Sequence, residues 1–111
     1  MSEYVYIYLL HHPFLNEGYI GVSNNLHRRY REHLRDRNVT PKSDWILEMK
    51  NGRLKPKMEV LERVLKNKSF AREKEITREY LLKGWAIMNS TNRGIGGKYE
   101  RITEWRTLND L

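Results

Sequence analysis

Five side chains in this 111-residue chain are of types that can act together on a phosphate ester: Tyr8, Tyr19, Arg29, His33 and Glu73. Tyr4, Tyr6 and Tyr8 alternate with Val5, Ile7 and Leu9, which places phenols on one face of a first strand. Tyr19-Ile20-Gly21 repeats a phenol in the next apolar run. Arg29 and His33 stand at i and i+4 of a predicted helix, so their side chains are neighbours. Glu73 falls in one helical stripe with Phe70, Thr77 and Leu81, where an uncompensated carboxylate is costly and a metal ion or a cation would compensate it. A divalent ion on such a carboxylate acts as Lewis acid and template. An arginine stabilises charge building on phosphoryl oxygens. A phenol beside a cation loses its proton more readily and can then activate water. Together these are the ingredients of metal-assisted phosphodiester hydrolysis. Singly, each has a plainer reading: strand-forming tyrosines, a satisfied core-edge histidine, an arginine paired with Glu32, a glutamate bonded to Thr77. Their joint spacing is what favours chemistry.

The elements that must position them follow from periodicity and punctuation. Residues 3–10 predict a strand. The turn formers from His11 to Glu17 break it, and Gly18–Val22 predicts a second strand antiparallel to the first. Ser23 or Asn24 caps a helix that runs to about Arg37. Its wheel turns Leu26, Tyr30, His33 and Leu34 toward the sheet, sets Arg29 at the edge of that face, and leaves Arg28, Arg31 and Arg35 to solvent or phosphate. Residues 38–42 predict a loop containing Pro41 and Lys42. Ser43 or Asp44 caps a short helix that Gly52 stops. Met58 and Val60 alternate as in a third strand. Ser69 caps a helix from about Phe70 to Lys83, closed by Gly84. A basic glycine loop with Arg93 and Lys98 follows, then a tail predicted as a short final helix. The order predicts a small α/β layer of the α+β kind, a three-stranded sheet flanked by helices. With no linker in view, residues 1–111 are expected to form a single domain.

Charge narrows the partner. Lys plus Arg number 21 against 14 Asp plus Glu, a net charge of +7, which favours polyanions. Arg28, Arg31, Arg35, Lys42, Arg93 and Lys98 are the candidate nucleic-acid contacts. No cysteine is present, which removes disulfides and thiolate metal sites. No apolar run is long enough to span a bilayer. A cytoplasmic location without membrane contact is the expectation.

The spacing resembles the GIY-YIG nuclease family. Tyr6-Ile7-Tyr8 stands for the first motif, with Tyr6 in place of the glycine, and Tyr19-Ile20-Gly21 for the second. "NNLHRRYREHL" resembles the family's arginine helix. "DWILEMKNGRLKPKMEVLERV" is similar to the middle of stand-alone phage and bacterial members, and "GWAIMNST" before Gly96-Gly97 to their ending, with Asn89 at the asparagine position. The resemblance covers residues 4–97, with a short tail over 98–111. It implies a small three-stranded antiparallel sheet with flanking helices, and hydrolysis of DNA with one Mg2+ or Mn2+ ion. It also implies roles: Tyr19 as general base or water-orienting group, Tyr8 as its positioning partner, and Arg29 on the phosphate. His33 would serve in proton handling or phosphate contact, Glu73 on the metal with Glu75 as the alternative, and Asn89 on a metal-bound water or the edge of the site. The alternative reading is a binding module of the same fold without turnover. About fourteen residues follow Gly97, too few for a separate DNA-reading domain, so low sequence specificity, specificity for structure or single strands, or a homodimer is expected.

Overall fold

The computed structural model describes residues 3–89. Its elements are β1 (Tyr4–His11), β2 (Glu17–Ser23), α1 (Leu26–Arg35), α2 (Pro41–Asn51), β3 (Lys57–Leu65), α3 (Ser69–Leu82) and β4 (Ala86–Ile87), with one 3-10 turn at Lys66–Lys68. The chain is α+β. Its sheet is four-stranded and mixed, in the order β3-β1-β2-β4, where the sequence predicts three antiparallel strands. The fourth strand is two residues long and runs parallel to β2, pairing Glu17 with Ala86 and Gly18 with Ile87. Two residues carry no periodicity, so the strand is invisible to a pattern reading.

Alternation along β1 sorts side chains between two faces. Tyr8 and Leu10 pack with Trp45, Ile46, Met49 and Met88, against the partly buried Leu26, Tyr30 and Leu34 of α1. Ile7 and Leu9 pack with Ile20, Ile76 and Ile87 on the face that α3 covers. β1 pairs antiparallel with both β2 and β3. The β1–β3 register slips between Ile7 and Tyr8, where Glu62 and Val60 are the successive partners, so Leu61 forms a bulge beside the site tyrosine.

The helix boundaries depart from expectation in instructive ways. Asn25, rather than Ser23 or Asn24, caps α1 by accepting from the Arg28 N–H. Ser23 instead holds Asn25, exchanging hydrogen bonds with its main chain at 3.0 Å. Thr40 caps α2 through the Ser43 N–H, and Pro41 opens the helix where a loop was expected. Gly52 ends α2, but the left-handed residue is Arg53, at φ 62°. Phe70 and Leu81, expected on the core side of α3, are 66% and 39% exposed. The buried stripe lies one shoulder round, at Ile76 and Thr77, with Glu73 between them on the wheel. Gly84 closes α3 at φ +90°, with Trp85 N donating to Tyr80 O and Gly84 N to Leu81 O. That closure sets the Trp85 ring edge-on to Tyr80, centroids 5.0 Å apart, and aims the chain into β4. Arg93, Lys98 and the predicted tail helix lie outside the described residues.

Candidate active site

The site begins with the register of a hairpin. β1 and β2 pair Tyr8 with Gly21 and Leu10 with Tyr19, so the two phenols are diagonal neighbours on one face. Their ring centroids lie 6.4 Å apart. Gly21 makes this possible: a Cβ there would sit 2.5 Å from Tyr8 Cζ and 3.0 Å from Tyr19 Cε1. The Tyr8 ring occupies the space that any other residue at position 21 would fill. Tyr4 and Tyr6 share the face but not the site. Tyr4 is exposed with the Arg63 guanidinium 4.1 Å from its ring centroid, and Tyr6 lies opposite Ser23.

α1 lies over the phenols. His33 is 1% exposed, and its Nε2 stands 2.6 Å from the Tyr8 hydroxyl. Burial, with the Lys42 and Arg29 charges, lowers the His33 pKa to about 3, so the ring is neutral at physiological pH. Arg29 comes within hydrogen-bonding reach of both phenols and also donates to Glu32 Oε1 at 3.0 Å. The direction of the Tyr8–His33 hydrogen bond follows the histidine tautomer, and the other ring nitrogen is Nδ1. That buried Nδ1 has no partner among the described residues.

Burial pushes both phenols above the ordinary tyrosine value. For Tyr8 the neighbouring Tyr19 adds to the rise, and for both, Arg29 opposes it. The Glu73 charge raises both phenols too, which places that carboxylate within electrostatic reach of the pair. Burial alone raises Glu73 itself, and among the described residues it forms no ion pair. Glu75 is different: it is exposed and lies 3.6 Å from Arg72, which also holds Glu62 and approaches Glu79. Of the two glutamates weighed from sequence, Glu73 is the one whose charge acts on the phenols.

Lys42 and Asp36 are a part of the site that wheel reasoning missed. Lys42 Nζ lies 2.8 Å from Asp36 Oδ2, with side chains only 12% and 14% exposed, and 5.3 Å from the Tyr19 ring centroid. Burial works against the Asp36 charge. Hydrogen bonds from Lys42, the Asn38 N–H and Ser43, with the Lys42 charge, outweigh it and hold the carboxyl at about 2. Lys42 is thus committed to Asp36 and Tyr19 rather than free on the surface. Arg28 remains exposed and pairs weakly with Glu32 at 3.5 Å. Arg31 and Arg35 are exposed, as the wheel expects. Arg35, Lys42, Arg29 and Tyr19 line one open cleft of about 570 Å3.

Asn89 lies beside the strand that carries Tyr19, bonded to Ile20. Its Oδ1 accepts from Ile20 N at 2.9 Å and its Nδ2 donates to Ile20 O at 2.6 Å, while Met88 N donates to Gly18 O. The side-chain amide extends β4 by one rung and fixes the backbone next to Tyr19. Both ends of the amide are used in this way.

Taken with its order along the chain, this arrangement decides the family: residues 4–93 match the family model of the GIY-YIG catalytic domain. The chain belongs to the GIY-YIG family. Membership implies nuclease-type activity in general, DNA as the substrate class and use of a divalent metal. No curated protein and no solved structure matches the chain. Among the described residues of this GIY-YIG domain, no three His, Asp or Glu side chains form a metal-binding group. No described helix is long and apolar enough to cross a membrane.

Proposed function

We propose that this GIY-YIG domain is a divalent-metal-dependent DNA endonuclease whose working groups are Tyr8, Tyr19, Arg29 and Glu73. The observation that carries the reading is the half-buried Glu73 carboxylate, without an ion pair among the described residues and within electrostatic reach of two phenols. A carboxylate so placed fits a cation, and Mg2+ or Mn2+ would take it as one ligand while keeping waters and borrowing phosphate oxygens. When bound, the ion would supply Lewis-acid charge stabilisation and would make nearby phenols and water more acidic.

The chain's own groups do the rest. Arg29, oriented by Glu32, contacts a non-bridging oxygen of the scissile phosphate and stabilises the charge that accumulates there. Tyr19 is held protonated by burial, so it orients the attacking water and becomes available as the phenolate only as positive charge is added beside it. Tyr8 fixes Tyr19 and Arg29 in place. His33, neutral and at about 3 a weak base, anchors the Tyr8 hydroxyl rather than carrying protons. Lys42 steadies the Tyr19 ring. Asn89 supports the strand under Tyr19. Water oxygen bonds to phosphorus as the phosphorus–oxygen bond to the leaving nucleotide breaks; water's proton passes to solvent, or to Tyr19 once its hydroxyl has ionised, and the leaving oxygen takes a proton from solvent.

The test is the glutamate pair. Wild type, Glu73→Gln and Glu75→Gln are incubated with supercoiled plasmid and single-stranded DNA in Mg2+, Mn2+ or chelator. Metal-dependent cutting that Glu73→Gln loses and Glu75→Gln keeps supports the reading. Cutting that survives chelator, or loss in Glu75→Gln alone, overturns the metal assignment.

A further inference from the structure

The segment from the last turn of α2 to the first residue of β3 carries Lys50, Arg53, Lys55 and Lys57, with no acidic residue between Glu48 and Glu59. The usual reading of such a run is a solvated loop beside a helix C-terminus, where cations suit the dipole. Three observations set this one apart. First, it is held rigidly. Leu54 N donates to Met49 O and Arg53 N to Lys50 O, closing α2 in a tight turn, and Leu54 packs on the core. Pro56 is buried, and its carbonyl accepts from the Tyr30 hydroxyl of α1 at 2.8 Å. Lys50 Nζ donates to the Leu34 carbonyl, also on α1. The segment is therefore tied at two points to the helix that carries Arg29.

Second, Arg53 occupies the left-handed position of the turn, at φ 62°, although glycine stands one residue earlier. Glycine at this position would be less strained. A long cation is kept where backbone strain disfavours it, a pattern that clusters at functional positions. Third, Arg53, Lys55 and Lys57 are exposed and form no ion pairs among the described residues. Their charge is available to an outside partner.

We propose that this segment is a second contact for the DNA backbone, binding phosphates away from the one held by Arg29. α1 links the two contacts: Tyr30 donates to the Pro56 carbonyl of the basic segment while Arg29 and Arg35 line the cleft, and the exposed Arg31 lies on the same helix. A duplex laid over α1 meets cations along this path. The contacts read phosphates and not bases, so they add affinity without sequence preference. The inference rests on DNA being the substrate.

The experiment measures binding of wild type, Arg53→Gly and Arg53→Gly/Lys55→Gln/Lys57→Gln to a duplex oligonucleotide in chelator, across about 50 to 200 mM salt. Vesicles containing phosphatidylserine and plasmid cutting by wild type and Arg29→Ala run alongside. Arg53→Gly should keep or raise the thermal midpoint while weakening binding, which separates contact loss from unfolding. The slope of log K against log salt should become shallower by about 0.9 per lost contact, about 2 to 3 for the triple variant. An unchanged slope, or weaker binding at the same slope, overturns the proposal. So does vesicle binding that the triple variant loses while duplex binding persists. If wild type cuts, Arg29→Ala does not, and the slope is unchanged, the second contact fails while the nuclease reading stands. If wild type binds no duplex, the substrate reading fails and this inference with it.

Discussion

Replacing Gly21 by alanine should dismantle the site from beneath. The added methyl would stand 2.5 Å from Tyr8 Cζ, about 1 Å inside an ordinary carbon–carbon contact. The strand cannot recede, because Gly21 is paired with Tyr8 in the β1–β2 ladder and Asn89 holds the adjacent Ile20. The phenol must move instead, by roughly 1 Å, and His33 packs against it from the other side. Overpacking of this kind costs about 1–3 kcal/mol, and disrupting the buried Tyr8–His33 hydrogen bond adds about 1 kcal/mol. A 1 Å misplacement of a positioning group costs about 100-fold in rate. The assay is the single-turnover cutting rate on plasmid, with urea unfolding in parallel. Gly52→Ala is the control, since its nearest contacts are ordinary ones at 3.6 and 3.7 Å. Gly21→Ala that cuts within a factor of about two of wild type, at unchanged stability, would refute the packing argument.

Other consequences are equally direct. His33 has a folded-state pKa near 3 against 6.5 for the free side chain, so between those values the unfolded chain binds the extra proton. Stability should therefore fall as pH drops from about 6.5 toward 3, by up to a few kcal/mol, read as the urea midpoint against pH. NMR should show no His33 titration near neutrality. Asn89→Ala leaves the Ile20 N–H and C=O without their side-chain partner and should cost about 2–4 kcal/mol by urea unfolding. Asp36→Asn removes a partner of nearly buried Lys42 and should destabilise by about 1–3 kcal/mol; loss of the Asp36 charge should also lower the Tyr19 pKa, seen in a phenolate absorbance titration.

Much of this was legible in the sequence because local periodicity governs it. The alternation of Tyr4 to Leu9 gave β1 and its two faces, and the i, i+4 spacing of Arg29 and His33 put both toward the phenols. The wheel preferred Glu73 to Glu75 on a centring that the structure revises. It was centred on Phe70 as the apolar residue, whereas the helix buries the shoulder at Ile76 and Thr77 and leaves Phe70 in solvent with Lys74 over its ring. What escaped depends on contacts that periodicity does not encode. Asn89 reaches Ile20 across 69 residues with a side chain acting as backbone. The Tyr8–His33 hydrogen bond spans 25 residues. Lys42 was expected in a loop as a nucleic-acid contact, whereas Pro41 opens α2 and Lys42 pairs with Asp36. The role of Gly21 was within reach: the hairpin register that pairs Tyr19 with Leu10 sets a glycine opposite Tyr8.

The central claim is that Tyr19 and Arg29 act on one phosphate. Its most direct test is the single-turnover cutting of supercoiled plasmid in Mg2+ by wild type, Tyr19→Phe and Arg29→Ala, with duplex binding measured in chelator. The account predicts losses of about 100- to 1,000-fold for each variant, with binding weakened only modestly. Tyr19→Phe cutting at the wild-type rate, or wild type binding DNA in a salt-dependent way without ever cutting it, would contradict the account.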